Sequence, residues 1–171
     1  VGAAEARFIV DGALGRLGRW LRVLGIDSLP REDSEPLAEL SLRAMKEKRI
    51  LLTRDRKLAH RCECTCAVFQ ITQDDPREQL HEVVRRFGLS LDEDEFMMRC
   101  SVCNGYGYNV LNAKEAAARG DCPTRVLAVV DEFFACKTCG KLYWQGPKSN
   151  DSMRHFKGLF ESFAQVAVVD G

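Results

Sequence analysis

Arg49-Ile50-Leu51-Leu52-Thr53-Arg54-Asp55 is the stretch that decides the fold. Three apolar residues and a β-branched threonine, bounded by charge, read as the strongest strand in the chain, and it runs straight into an acid. The same grammar recurs at Arg7-Phe8-Ile9-Val10-Asp11, more weakly at Ile26 to Leu29 before Pro30, and at Ala67-Val68-Phe69-Gln70-Ile71. Helical spacing fills the intervals. Leu14, Leu17, Leu21 and Leu24 form one apolar stripe ended by Gly25, and Leu37, Leu40 and Ala44 form another after Pro36. Leu80, Val83, Val84 and Phe87 form a third, capped at Asp74-Asp75-Pro76 and ended by Gly88. Strands alternating with helices predict an α/β domain over residues 1–92, a small parallel sheet covered by helices, with a basic turn after Asp55.

Beyond the acidic run Asp92-Glu93-Asp94-Glu95 the pattern changes. Arg99-Cys100-Ser101-Val102-Cys103-Asn104-Gly105 and Cys136-Lys137-Thr138-Cys139-Gly140 are two Cys-x-x-Cys knuckles, each with glycine close behind. Four thiolates at this spacing suit a tetrahedral zinc ion, the glycines allowing the chain to turn sharply. Two disulfides or a redox dithiol are the other readings. Against them, no charged-then-apolar leader and no apolar run of about 20 residues is present, so a reducing compartment and no membrane partner are expected. Residues 93–171 are therefore read as a zinc-ribbon module. Arg125 to Val130 is its expected strand, and a closing helix from Asp151 carries the stripe Met153, Phe156, Phe160 and Phe163. Cys62-Glu63-Cys64-Thr65-Cys66 would place three sulfurs on one side of a strand, for a second metal or simply for packing.

The 171 residues carry 25 basic and 25 acidic side chains, so the total announces neither a nucleic-acid nor a membrane partner. The basic residues nonetheless gather in the first sixty positions, and such asymmetry acts locally.

Three acidic addresses share one place in the topology: Asp11 after the first strand, Asp33 and Glu35 after the second, Asp55 after the third. The carboxyl ends of parallel strands form one rim, where open α/β folds bind ligands. Carboxylates meeting there would hold magnesium or manganese, and such ions cleave phosphodiesters. Each acid is equally well placed to be a helix N-cap. Arg16, Arg19, Arg22 and Arg54 are the candidate phosphate contacts, against the alternative of a solvated helix face. Tyr143 and Trp144 suit either base stacking or packing of the zinc module.

Phe8-Ile9-Val10-Asp11-Gly12, Leu14-Gly15, Trp20-Leu21-Arg22, Leu24-Gly25-Ile26-Asp27, the Thr53-Arg54-Asp55 strand end, Arg99-Cys100 to Asn104-Gly105, and Cys136 to Gly146 through Tyr143-Trp144 come in one order. Together they resemble the C-terminal RNase domain of the Mut-seven exonuclease family. The resemblance implies a PIN-like nuclease fold with an appended zinc ribbon and acids that hold divalent metal for RNA cleavage. Asp11 matches the family's first acid and Asp55 the acid of its Thr-Arg-Asp motif, while the middle acid is Asp33 or Glu35. Animal members carry a 3′-to-5′ exonuclease domain ahead of this one and act in small-RNA pathways. The expectation is thus the C-terminal piece of a larger exoribonuclease, cytoplasmic or nuclear, with single-stranded RNA and a small-RNA-pathway protein as partners. A non-catalytic domain that docks RNA or protein beside a companion nuclease is the alternative.

Overall fold

The computed structural model describes residues 6–146, together with Arg154, Lys157, Gly158 and Glu161, which are helical. The apolar stripe expected on the closing helix from Asp151 (Met153, Phe156, Phe160 and Phe163) lies outside the described residues. The chain divides into two compact units, Val1–Asn104 and Gly105–Gly171.

In the first unit, strands β1 (Phe8–Val10), β2 (Ser28–Pro30), β3 (Ile50–Thr53) and β4 (Val68–Gln70) form one parallel sheet in the order β2-β1-β3-β4. Phe8 stands beside Ser28 on one side and Ile50 on the other. Helices α1 (Gly15–Val23), α2 (Leu37–Lys46), α3 (Arg56–Cys62) and α4 (Pro76–Phe87) cover it. The parallel α/β expectation holds. Strand alternation sorts the core into two layers. Ile9 and Leu51 pack with Leu40 and Ala44 of α2 and with Leu58 and Cys62 of α3. On the other face the Phe8 ring meets Phe87 of α4 edge-on at 5.3 Å, and Phe69 meets the same ring. Gly18 of α1 sits over Val10, where an added Cβ would be 3.4 Å from the valine side chain.

Helix α3 replaces the expected basic turn. The signal was present in Asp55, whose Oδ1 accepts from the Lys57 and Leu58 amides at 2.8 and 3.1 Å, and in Leu58, Ala59 and Cys62, all buried. Cys62 therefore ends a helix instead of lying in a strand, and the 62–66 sulfurs do not share one strand face. Burial, the neighbouring Cys62 and its hydrogen bond push the Cys66 thiol up to about 11.

The first unit runs on past the junction expected at 92/93 because residues 93–104 bond back to it. The Met97 amide donates to the Val23 carbonyl at 2.8 Å, and the Arg99 guanidinium to the Gly25 carbonyl at 2.9 Å. Gly25 is required there twice over: its φ is +85°, and a Cβ would fall 2.7 Å from that of Glu95.

Asp27 is the hub of the polar contacts below the sheet. Its carboxylate accepts from Arg7 at 3.1 Å, from Arg49 at 2.5 Å and from the Asn104 amide at 2.8 Å. Burial raises its pKa, but the hydrogen bonds from Arg49 and Asn104 and the charges of Arg49 and Arg99 outweigh that. Its carboxyl is held below the ordinary value of 3.8. A lowered carboxylate contributes stability above its unfolded pKa and loses it as pH falls through the folded one. Asp27→Asn should thus cost about 1–2 kcal/mol near neutrality, since the buried Arg49 loses one of its two carboxylate partners and keeps Glu47 at 2.7 Å. Thermal melts at pH 7 and pH 3 check this: wild type should approach the variant in acid, and a gap that persists unchanged would remove Asp27 from this role.

In the second unit, β5 (Tyr108–Asn112), β6 (Glu132–Cys136) and β7 (Leu142–Trp144) form an antiparallel sheet, with Tyr108 opposite Cys136 and Ala135 opposite Leu142. Helix α5 (Ala113–Arg119) opens on a capping box of Asn112 and Glu115. Its Ala116 packs with Phe133, Ala135 and Leu142. The strand expected at Arg125 to Val130 is instead helix α6 (Thr124–Leu127), followed by turn. Pro123 starts a helical turn, its carbonyl accepting from the Val126 amide at 2.9 Å, and the aromatic Phe133 takes the buried place in the sheet. Trp144 leans on Phe133 at 6.3 Å and Tyr143 on Tyr108 at 5.5 Å, the packing alternative for both.

Candidate functional site

The strand order fixes where a ligand belongs. From β2 the chain passes over β1 to reach β3, so connections leave β1 and β3 toward opposite faces, and the carboxyl ends of these two strands are where sheets of this order take ligands. Asp11 and Asp55 stand at those ends. One hydroxyl joins them: Thr53 Oγ1 donates to Asp11 Oδ2 at 3.0 Å and accepts from the Asp55 amide at 3.0 Å. Asp11 is nearly buried, its Oδ1 accepting from the Gly12 amide at 2.9 Å and from Arg31 at 3.3 Å. Asp55 is exposed, with Oδ1 spent on the first amides of α3. Both acids are helix caps as well as rim residues, so the two sequence readings coexist.

The middle acids are placed differently. Asp33 is exposed. Glu35 is buried and gripped by Arg43, which donates through Nε and Nη2 at 2.8 and 2.7 Å, a bidentate pair. The Glu35 carboxylate in turn holds Arg43 more firmly protonated than an ordinary arginine. Arg31 links the two acid addresses, reaching Asp11 with one nitrogen and the Glu35 carbonyl with another at 2.8 Å. At Glu35, the Arg43 guanidinium therefore supplies the positive charge expected from a metal. Among the described residues, no three carboxylates lie close enough to share one ion.

Of the candidate phosphate contacts, Arg16 and Arg19 are exposed along α1. Arg54 pairs with Asp74. Arg22 departs from the set. It is buried and donates to the Ser101 carbonyl at 2.9 Å and the Ser28 carbonyl at 3.0 Å, so its charge is used inside the fold. Thr53, Arg31 and Arg43 escape sequence reading. Thr53 looks like the β-branched end of a strand, and the two arginines meet their acids only after folding.

The cysteine prediction is met geometrically: the sulfurs of Cys100, Cys103, Cys136 and Cys139 all lie within 4.8 Å of one another. Four thiolates about 2.3 Å from a central zinc would stand about 3.8 Å apart, so the donor set fits this ion. Both knuckles turn alike. The Asn104 amide donates to the Cys100 carbonyl at 3.0 Å, and the Gly140 amide to the Cys136 carbonyl at 2.9 Å. The left-handed residue of the first knuckle is Asn104 (φ +68°), where glycine at 105 was expected, and that of the second is Gly140 (φ +73°). Asparagine tolerates this conformation, and here its side chain is in use: Oδ1 accepts from the Ser28 amide at 2.9 Å while Nδ2 binds Asp27. The Thr138 amide points at Cys136 Sγ from 3.4 Å, as suits a thiolate.

The family model of the Mut7-C RNAse domain matches residues 6–156. No curated protein and no solved structure matches the chain.

Proposed function

The chain belongs to the Mut7-C RNAse domain family, and from that premise we propose that it is a PIN-like RNA-processing module in which Asp11 and Asp55 hold magnesium or manganese for cleavage of single-stranded RNA. The observation that carries this reading is the Asp11–Thr53–Asp55 link at the carboxyl ends of β1 and β3. Two hard carboxylates suit magnesium, which takes one or two protein carboxylates and completes its shell with water and substrate phosphates. When bound, such an ion would activate water and steady the leaving oxygen. The chain's own groups prepare the place: the Thr53 hydroxyl aims Asp11 Oδ2, and helix capping fixes Asp55. Arg31 keeps the buried Asp11 charge compensated. The zinc of the four-thiolate site is structural in this reading. By the same resemblance, the module works beside a 3′-to-5′ exonuclease and a small-RNA-pathway protein, in the reducing cytoplasm or nucleus.

A specific observation favours a second reading, RNA or protein docking without cleavage: Glu35, a candidate middle acid, is closed off by Arg43. The two separate in one assay. The purified chain is incubated with labelled single-stranded RNA and magnesium or manganese, beside Asp11→Asn and Asp55→Asn. The proposal expects metal-dependent cleavage lost in both variants. RNA bound but left whole across metals and pH would leave the docking reading.

A further inference from the structure

A cleft of about 570 Å³ lies along α3 and strand β4, outside the acidic rim. Strand β4 is the edge of the sheet, so the cleft is open along one side. Arg56, Lys57 and His60 of α3 form one wall, Val68 and Gln70 of β4 the other, with Ala59 between them. The walls combine three chemistries: two fixed cations, an apolar strip of Ala59 and Val68, and an amide that both donates and accepts. The lining holds one carboxylate, Glu63, which sits 2.7 Å from His60 Nδ1, and Arg56 and Lys57 outnumber it, so the cleft is net positive.

Those two residues are placed against local preference. They occupy the first two positions of α3, directly after the Asp55 cap, and no acid stands in that first turn. Cations there oppose the helix macrodipole, where glutamate or aspartate would favour the helix. Both are exposed, and neither relieves a neighbouring acid among the described residues. A locally unfavourable choice without a structural return marks a functional position.

We infer that the α3–β4 cleft seats one nucleotide of a single-stranded RNA adjoining the Asp55 end of the rim, with Arg56 and Lys57 on its phosphates. The base lies against Ala59 and Val68, and the Gln70 amide meets its edge. The volume is that of a pocket for a nucleotide-sized molecule, within about 300–1,000 Å³. A single strand is selected over a duplex because only an unpaired base turns both face and edge to the protein. This assignment rests on the RNA reading above and adds to it where the strand lies.

The test measures binding of a fluorescent single-stranded oligoribonucleotide to the full chain and to Arg56→Glu/Lys57→Glu, over a series of salt concentrations, with a polyglutamate peptide as a second probe. The variant should bind RNA at least about tenfold more weakly, and its log–log salt slope should flatten by about 0.7 for each phosphate it no longer neutralises. Its Tm should hold or rise, because glutamate suits the start of α3. Wild type and variant binding RNA alike would overturn the cleft assignment and leave the rim proposal standing. A wild type that binds no RNA would overturn both. Wild-type binding of polyglutamate in preference to RNA, lost in the variant, would make the cleft a protein-docking surface and overturn the assignment.

Discussion

Stripping the metal from the four-thiolate site should melt the β5–β6–β7 sheet while the parallel sheet of the first unit stays folded. Among the described residues, the buried cluster of the second unit is Ala116, Phe133, Ala135 and Leu142, with partly buried groups such as Leu111, Val126 and Trp144 against it. Cores of that size seldom hold a fold without a staple, and structural zinc supplies on the order of 10 kcal/mol of apparent binding energy. The first knuckle should behave differently, since Asn104 remains bonded to Ser28 and Asp27 whether or not zinc is present. Cys139→Ser is the cleanest variant because Cys139 is exposed and its replacement removes a ligand with little loss of packing. Cys64→Ser, also exposed but outside the cluster, is the control. Metal analysis should give one zinc per wild-type chain. Hydrogen exchange should then show the β6 amides losing protection in Cys139→Ser or with chelator, and not in Cys64→Ser. Unchanged protection of β6 in the metal-free protein would show that the sheet stands without the ion.

The sequence was most legible where a local pattern determines a structure outright. Ile50 to Thr53 and Phe8 to Val10 are short apolar runs closed by an acid and set between helical stripes, and they are strands; the α4 stripe ends at Gly88 because that residue is left-handed. The knuckles were legible for the same reason, since Cys-x-x-Cys spacing is itself a geometry. Two misreadings have one cause. Arg56 to Cys62 is too short and too basic to show a helical stripe, and Arg125 to Val130 has strand composition but starts on a proline-led turn. In both, the residue that opens the helix, Asp55 or Pro123, outweighed the composition of the run behind it. The candidate site was legible in its addresses and not in its partners. Asp11 and Asp55 are named by strand ends, whereas the pairing of Glu35 with Arg43 and the burial of Arg22 depend on residues met only through folding.

Loss of either rim acid should abolish cleavage with little change in stability. Asp55→Asn keeps the cap of α3, because an asparagine side-chain oxygen accepts from the Lys57 and Leu58 amides as well as a carboxylate does. Asp11→Asn can still accept from the Gly12 amide but turns a donor toward Thr53, a cost of about 1 kcal/mol. Both remove a hard anionic ligand, for which a fall in kcat on the order of 10²–10³ is expected. Thr53→Val, which keeps the strand and deletes only the hydroxyl link, should lower the rate about 10–100-fold and weaken metal affinity, because Thr53 acts through Asp11. An activation constant for manganese that is unchanged in Thr53→Val would deny it that positioning role.

In the proposed mechanism Asp11 and Asp55 serve one ion at the carboxyl ends of β1 and β3. The most direct test of that mechanism is the rate of single-stranded RNA cleavage by the full chain as manganese is titrated, measured side by side for wild type and Asp55→Asn at matched folded fraction. Wild type should show a saturable, metal-dependent rate, and the variant none above background. Equal rates in the two proteins, or an intact RNA with wild type at every metal concentration, would contradict it.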